Sequence, residues 1–570
     1  MNTEMNRTCI AWFIGSLIFC GMLHAEPRGK IIGYGWDLLA ATPDILLANA
    51  ERFDATGLDG VFTEIRFSVG GKRYSSQTIA TDANWPRKEL ERSCLSALKE
   101  FPKHKGLKES LLGAWFMPQK RLHWNDDSAW RRFAGNMGEL ARLARISGLK
   151  GLFLDTEDYT HQRQFVYIPG KDGVTYDAAV ELARRRGREM SAAIFSSHPD
   201  AVLMATWFLS VKQGYALASD AAGAMRSCRD LWPVFLNGML ETAPLTAKFI
   251  DGCENGYELD SSENEFYREA ARIQACTEGL VSQINKAKFR EPFAVGFGVY
   301  LDAYVNPQGS LYYFAPASDG SRTTVLRRNL RQAIECASSG YVWVYGEKNT
   351  FVDWIGVPPK LDAFQKRWGD KLKGNVSTWE KRLGGVGEAL RYAKDRDGEL
   401  RKLLKGAKLD NMIGNGECNA KNSGSVPKGF WDWTAPGSLE NVFGCDLNVG
   451  HLSAPSIVAK ESANGSVGVD LPVSGGEILY CSFWMKGDGG SGSVAFKKGG
   501  SFIWKWPRSI FVFGEKDGNG WRKGEVFAEA PAGADKMTVM ASASVASGCK
   551  VWFDDFVVHK LPVGRACLSK

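Results

Sequence analysis

"GLKGLFLDTEDY", residues 148–159, is a short apolar run that ends in three carboxylates, Asp155, Glu157 and Asp158. Side chains alternate between the two faces of a strand. Phe153, Asp155 and Glu157 therefore share one face, and Leu152 and Leu154 take the other. A charge carried inward on a buried strand is costly unless it is paired or hydrated. The C-terminal mouth of a parallel β/α barrel supplies the water, and it is where the active sites of such barrels lie.

The same design recurs along residues 30–347. The strand candidates are "KIIGYGWD" (30–37), "GVFTEIRF" (60–67), "LLGAWFMP" (111–118), "LKGLFLDTE" (149–157), "AVLMATWFL" (201–209), "AKFIDG" (247–252), "FAVGFGVYLD" (293–302) and "YVWVYGE" (341–347). Stretches with apolar residues at helical spacing fall between them, such as "FAGNMGELARLARISG". Eight strands alternating with helices point to an α/β fold of the (β/α)8 TIM barrel type over residues 28–358. An open doubly wound sheet is the alternative, but no Gly-rich dinucleotide fingerprint follows the first strand. Residues 359–408 are helical and highly charged and read as an extension or spacer. From 409 to 563 short strand-like runs are punctuated by Gly, Pro and Asp, the pattern of an all-β sandwich or jelly roll.

A chain of 570 residues is too long for one ordinary core. Its net charge of +7 is small for that length, and no basic arm is present, so nucleic acid is not an expected partner. Arg7, the apolar "CIAWFIGSLIFCGML" and "LHA" before Glu26 read as a secretory signal peptide over residues 1–25. No other segment is apolar for long enough to span a bilayer, so the expected product is exported, to the periplasm or beyond the cell. A surface lipoprotein fits less well, because Phe19 is bulky immediately before Cys20. No CxxC, HExxH or HxH occurs, so neither zinc spacing nor a His-built catalytic metal is supported, and no cofactor is expected for catalysis.

Acids and aromatics gather at the other strand ends as well. Glu64 and Arg66 lie on the face of Phe62. Asp251 ends the sixth strand, with Glu254 just beyond it. Tyr300 and Asp302 end the seventh, and Trp343, Tyr345 and Glu347 share a face of the eighth. Trp36, Trp115 and Trp207 sit near the ends of the first, third and fifth. A single acid at a strand end is ordinarily a helix cap or a loop ion pair. Acids at five or more of eight ends, ringed by aromatics, suit a sugar site: carboxyls act as acid, base or nucleophile, and flat rings stack on pyranose faces.

"GLKGLFLDTEDY" resembles the fourth strand of barrel glycoside hydrolases. Its Asp-x-Glu ending is similar to that of the chitinase-like family, whose Glu is the general acid, although Leu152 and Phe153 interrupt that family's longer Asp-rich motif. "LKGLFLDT" also resembles the corresponding strand of polygalactosaminidase-like barrels. "FIDGCENGYE", "GFGVYLD" and "YVWVYGEK" are similar to segments of secreted bacterial sugar-enzyme barrels. Farther on, "NGEC" (415–418), "GFWDW" (429–433), "LYCSFWMKGDG" (479–489), "GWRKGEVFAEAPAGADKMTV" (520–539) and "VWFDDFVV" (551–558) resemble, in that order, a galactose-binding-like carbohydrate-binding module.

These resemblances imply a secreted glycoside hydrolase acting on a polysaccharide or glycan. Asp155 would be the nucleophile and Glu254 the acid/base. In a second scheme Glu157 is the acid, and Asp155 or a substrate acetamido group assists. Trp36, Glu64, Trp115, Trp207, Asp251, Asp302, Trp343, Tyr345 and Glu347 would contact substrate. In the module, a structural calcium would involve Glu417 or Asp554, and Trp431, Trp433, Trp504 and Trp506 would face sugar. Two alternatives stand beside this reading: a polysaccharide lyase with Tyr345 or Arg66 as base, and a non-catalytic glycan-binding protein on a barrel scaffold.

Overall fold

The structure is a computed structural model. It describes residues 29–562 except 36–37, 40, 291–292, 318–319, 347–350, 353–377, 437, 440–441, 462 and 505–507. The expected signal peptide, Trp36, Glu347 and Trp506 lie outside the described residues. The chain divides into two compact units, the first made of Met1–Phe314 and Leu326–Asp395 and the second of Arg396–Lys570 together with Ala315–Val325.

The first unit is built on one parallel sheet. Its strands are β1 (Lys30–Gly35), β2 (Gly60–Glu64), β5 (Leu111–Trp115), β6 (Gly151–Asp155), β7 (Val202–Ala205), β8 (Lys248–Asp251), β9 (Phe293–Val295), β10 (Phe297–Tyr300) and β11 (Tyr341–Gly346). A small hairpin, β3 (Arg66–Val69) with β4 (Lys72–Ser75), follows β2. The sheet order is β10-β11-β1-β2-β5-β6-β7-β8-β9. β9 and β10 are one run broken at Gly296, β9 pairing with β8 and β10 with β11. Counted as one stave they give eight, and the sheet is a nearly closed barrel.

The segment "GVFTEIRF" is not one strand, as the sequence suggested. It breaks at Ile65, whose amide donates to Ser76 Oγ at 3.1 Å, and Arg66 begins the hairpin.

Every residue of β2, β5, β6 and β7 is buried, as expected for strands packed on both faces. Inside, rings replace aliphatic side chains as the filling. Tyr34 stacks on Phe62 at 4.5 Å, Phe62 meets Phe153 at 5.3 Å, and Phe153 meets Trp343 at 5.5 Å. Gly113 makes room for this layer, because a Cβ there would stand 1.9 Å from the Phe62 ring. Outside, the helix Asp127–Ile146 buries Trp130, Phe133, Met137, Leu140 and Ala144, a stripe at helical spacing. Asp126 caps it by accepting from the Ala129 amide at 2.9 Å.

The second unit holds two antiparallel sheets. One runs β12 (Trp431–Thr434), β15 (Asn464–Pro472), β22 (Lys536–Ser544), β17 (Gly490–Lys498) and β18 (Ser501–Phe502), with β19 (Ser509–Ile510) also on β17. The other runs β13 (Phe443–Asp446), β14 (Ser456–Ala459), β23 (Val551–Lys560), β16 (Ile478–Lys486), β21 (Trp521–Glu529) and β20 (Val512–Phe513). Val467, Val494 and Val539 of the first share one apolar core with Phe483, Phe553 and Val558 of the second. Within the stretch read as a spacer, the helices Trp379–Leu383 and Val386–Lys394 belong to the first unit and the helix Arg396–Gly406 to the second.

Candidate active site

Asp155 is the last residue of β6, on the inner face that Phe153 occupies one step below. It is fully buried. Its Oδ2 accepts from the Tyr34 hydroxyl at 2.6 Å and the Tyr159 hydroxyl at 3.1 Å, and its Oδ1 accepts from the Glu157 amide at 3.0 Å. Glu157, two residues on, is half-buried and also accepts from the Tyr159 hydroxyl. Burial raises the Asp155 carboxyl above the usual range, and the Glu157 charge adds to that. Burial raises Glu157 as well, and donation from Tyr159 works against it.

Glu254 follows β8. It is aimed by Asp251, which is fully buried and accepts from the amides of Leu209 (2.7 Å), Ser210 (2.8 Å) and Cys253 (3.1 Å) and from Ser210 Oγ (2.7 Å). Those bonds tie the loop after β7 to the end of β8 and shape the turn through Cys253, which has φ 39°. The Glu254 carboxyl is pushed up to about 8 by burial first, then by the charges of Glu157 and Asp155. Three acids from two strand ends thus share one field and cannot all ionise together near neutrality.

Tyrosines line this field. Tyr257 stacks on Tyr300 at 5.1 Å and on Tyr345 at 6.1 Å, and Tyr345 lies 5.2 Å from Tyr34. Tyr345 is half-buried above Trp343. Tyr34, Tyr159 and Tyr257 went unread in the sequence. Tyr34 could have been found by alternation, since it shares a face with Ile32. Tyr159 and Tyr257 lie in loops, where no period exists to follow.

Several expected substrate contacts have other duties. Trp343 is fully buried in the ring layer, and its Nε1 donates to the Gly252 carbonyl at 2.8 Å, so it is part of the core and not of the mouth. Glu64 is buried and accepts from Nε and Nη2 along one edge of the Arg66 guanidinium, from Ser75 Oγ at 2.6 Å and from Gln77 Nε2 at 3.0 Å. It staples the hairpin to β2. Asp251 is the turn clamp just described, and Asp302 is buried against Arg382 at 3.1 Å. Trp115 packs 5.1 Å from the Tyr159 ring, beside the acids. Trp207 is half-buried, with Lys212 Nζ 5.5 Å from its ring.

In the second unit, Glu417 is exposed and bonds Asn419 at 3.3 Å. Asp554 is buried, its oxygens accepting from the amides of His451 and Asp555, both at 2.8 Å. No group of three or more His, Cys, Asp or Glu able to hold a metal occurs among the described residues. Trp433 and Trp504 are exposed, 54% and 76%, and Trp431 bonds Asp470 at 3.3 Å. No helix among the described residues is long and apolar enough to cross a membrane.

No family model matches the chain, and no curated protein matches it. Among solved structures, 26% of the chain is similar to TmCBM61, a structure in complex with β-1,4-galactotriose, at 11% identity and TM-score 0.21, covering 99% of that chain. Another 26% match is to a Family 16 Carbohydrate Binding Module-2, at 15% identity and TM-score 0.20, again covering 99% of that chain. A third is to the enzymatically active domain of bacteriophage CBA120 tailspike protein 4, at 14% identity and TM-score 0.22. It covers 26% of this chain and 21% of that one, so this chain spans about a fifth of its length. Scores this low bear on neither the fold nor the activity of this chain.

Proposed function

We propose that the protein is an exported glycoside hydrolase whose barrel cleaves a polysaccharide or glycan and whose sandwich carries a carbohydrate-binding surface. One observation carries the reading: Glu157 and Glu254, both half-buried at strand ends of the barrel, lie in one electrostatic field but have different partners. Two carboxyls with environments that split their protonation are what glycosidic cleavage uses.

Glu254 accepts no hydrogen bond from a described residue and keeps its proton at neutral pH, so it is the general acid. It gives that proton to the glycosidic oxygen as the bond to the anomeric carbon breaks. Glu157, raised by burial but less so because Tyr159 donates to it, is the carboxylate. It attacks the anomeric carbon or takes a proton from the water that does. Asp155 was the first choice for that role from sequence. Its full burial and its three bonds suit a positioning part, fixing Tyr34, Tyr159 and the Glu157 backbone. Tyr345 and the exposed Tyr159, backed by the buried Trp115, are the rings that would stack on sugar, and Trp433 and Trp504 would do the same on the sandwich.

The test is product analysis on a panel of polysaccharides with the wild type and with Glu254→Gln. New reducing ends that vanish in the variant support hydrolysis. Unsaturated uronates would make the protein a lyase, and reducing ends formed equally by both proteins would remove Glu254 from the chemistry.

A further inference from the structure

The second unit contains a groove of about 730 Å³ that is separate from Trp433 and Trp504. It lies on the outer face of the sheet that contains β16, β21 and β23, whereas Trp433 is on β12 of the opposite sheet. The alternation of β16 builds its wall. Cys481, Phe483 and Met485 enter the core, and Tyr480, Ser482 and Trp484 point the other way to line the groove. Its volume falls within the range of small-molecule sites, about 300–1,000 Å³.

The wall is prearranged. His451 stacks on the Trp484 indole at 3.7 Å and 17°, and its Nδ1 bonds Asp555 at 2.7 Å. His559 stacks near Tyr480 at 6.1 Å and 12°. Rings fixed in this way lose little freedom when a flat ligand settles on them. Polar groups surround the rings. Lys523 already pairs with Glu525 at 3.0 Å, so it calls for no counter-charge from a ligand, and Asp555 is hydrogen-bonded to His451. Ser482, Asn419 and the exposed Glu417 add a hydroxyl, an amide and a carboxylate. Flat apolar faces beside mixed donors and acceptors, with the cation already paired, describe a neutral polyhydroxylated ring.

We propose that this groove binds a short neutral oligosaccharide, as a second sugar site on the face of the sandwich opposite Trp433. It does not depend on the barrel being catalytic. The test uses the full chain with Trp433→Ala and Trp504→Ala as background, on an array of defined neutral oligosaccharides, followed by calorimetry with the best binder. Two further variants are then added singly. Trp484→Ala removes the platform. Gly414→Leu fills the groove, and it should fold normally, because a Cβ at Gly414 meets nothing within 4 Å. The expected result is that one molar equivalent of binding weakens at least ~10-fold in each, with the melting temperature of Gly414→Leu unchanged. The proposal is overturned if the background binds no oligosaccharide, or if stoichiometry and affinity survive Gly414→Leu.

Discussion

Glu254 and Tyr159 make opposite contributions to the same field, and each gives a prediction. The folded chain holds a proton on Glu254 that the unfolded chain, with an ordinary value of 4.5, has already lost. Stability contributed by that proton is complete below about pH 4.5 and drains away as pH rises through about 8. Glu254→Gln has nothing to lose over that range. It should match the wild type in acid and exceed it by on the order of 5 kcal/mol above about pH 8, read from urea melts at both ends. Equal stability at alkaline pH would mean that the carboxyl is ordinarily hydrated. If that proton is the one the proposed hydrolase delivers, turnover should fall as pH passes about 8. Tyr159→Phe keeps the ring against Trp115 but removes the hydroxyl shared by Asp155 and Glu157. Without that donor the Glu157 carboxylate is less stable, so, if Glu157 is the proposed carboxylate, the acid limb of kcat/KM should move to higher pH. An acid limb that stays in place would separate Tyr159 from the ionisation of Glu157.

At the level of elements, the strand ends divide into those that hold the mouth together and those that face into it. β11 belongs to the first kind through Trp343. Trp343→Ala would empty a site with no solvent contact, leave the Gly252 carbonyl without its donor and cost about 3–5 kcal/mol. A denaturation midpoint close to wild type would show that the ring layer can close around the gap. The sequence showed eight apolar runs and which side chains share a face, because a period of two is visible in any strand. It did not show height along the barrel axis. Trp343 and Tyr345 share a face, yet one is sealed and the other half-buried. Nor did it show which acids already have donors. Glu64 and Asp251 look like Glu254 in the sequence. They differ because their donors, Ser75, Gln77, Leu209 and Ser210, come from the hairpin and from loops whose paths no periodicity describes. The break at Ile65 was hidden for the same reason, since it depends on a hydroxyl eleven residues away.

At the scale of the whole molecule, the question is where the chain can be divided. The charged stretch 359–408 reads as one spacer, which would put the cut near Lys408. The helix Arg396–Gly406 places it earlier. Arg396 donates to the Phe527 carbonyl at 2.7 Å, Arg401 pairs with Glu525 at 3.0 Å, and Leu400 between them is fully buried. The helix Val386–Lys394 goes the other way. It buries Val386, Ala389 and Leu390 in the first unit, and Lys394 pairs with Asp59 at 2.9 Å. A fragment of residues 29–395 therefore ends where its own packing ends. One of residues 29–408 carries a helix whose apolar side has lost its partner, a sticky surface in water. The shorter barrel fragment should be the more soluble and monomeric of the two by size-exclusion chromatography. The sandwich fragment should show the converse: residues 396–562 should unfold at higher urea than residues 409–562, by roughly 2–5 kcal/mol for the lost Leu400 site alone. If 409–562 proves as stable as 396–562, the helix is a linker after all and the division moves back toward Lys408.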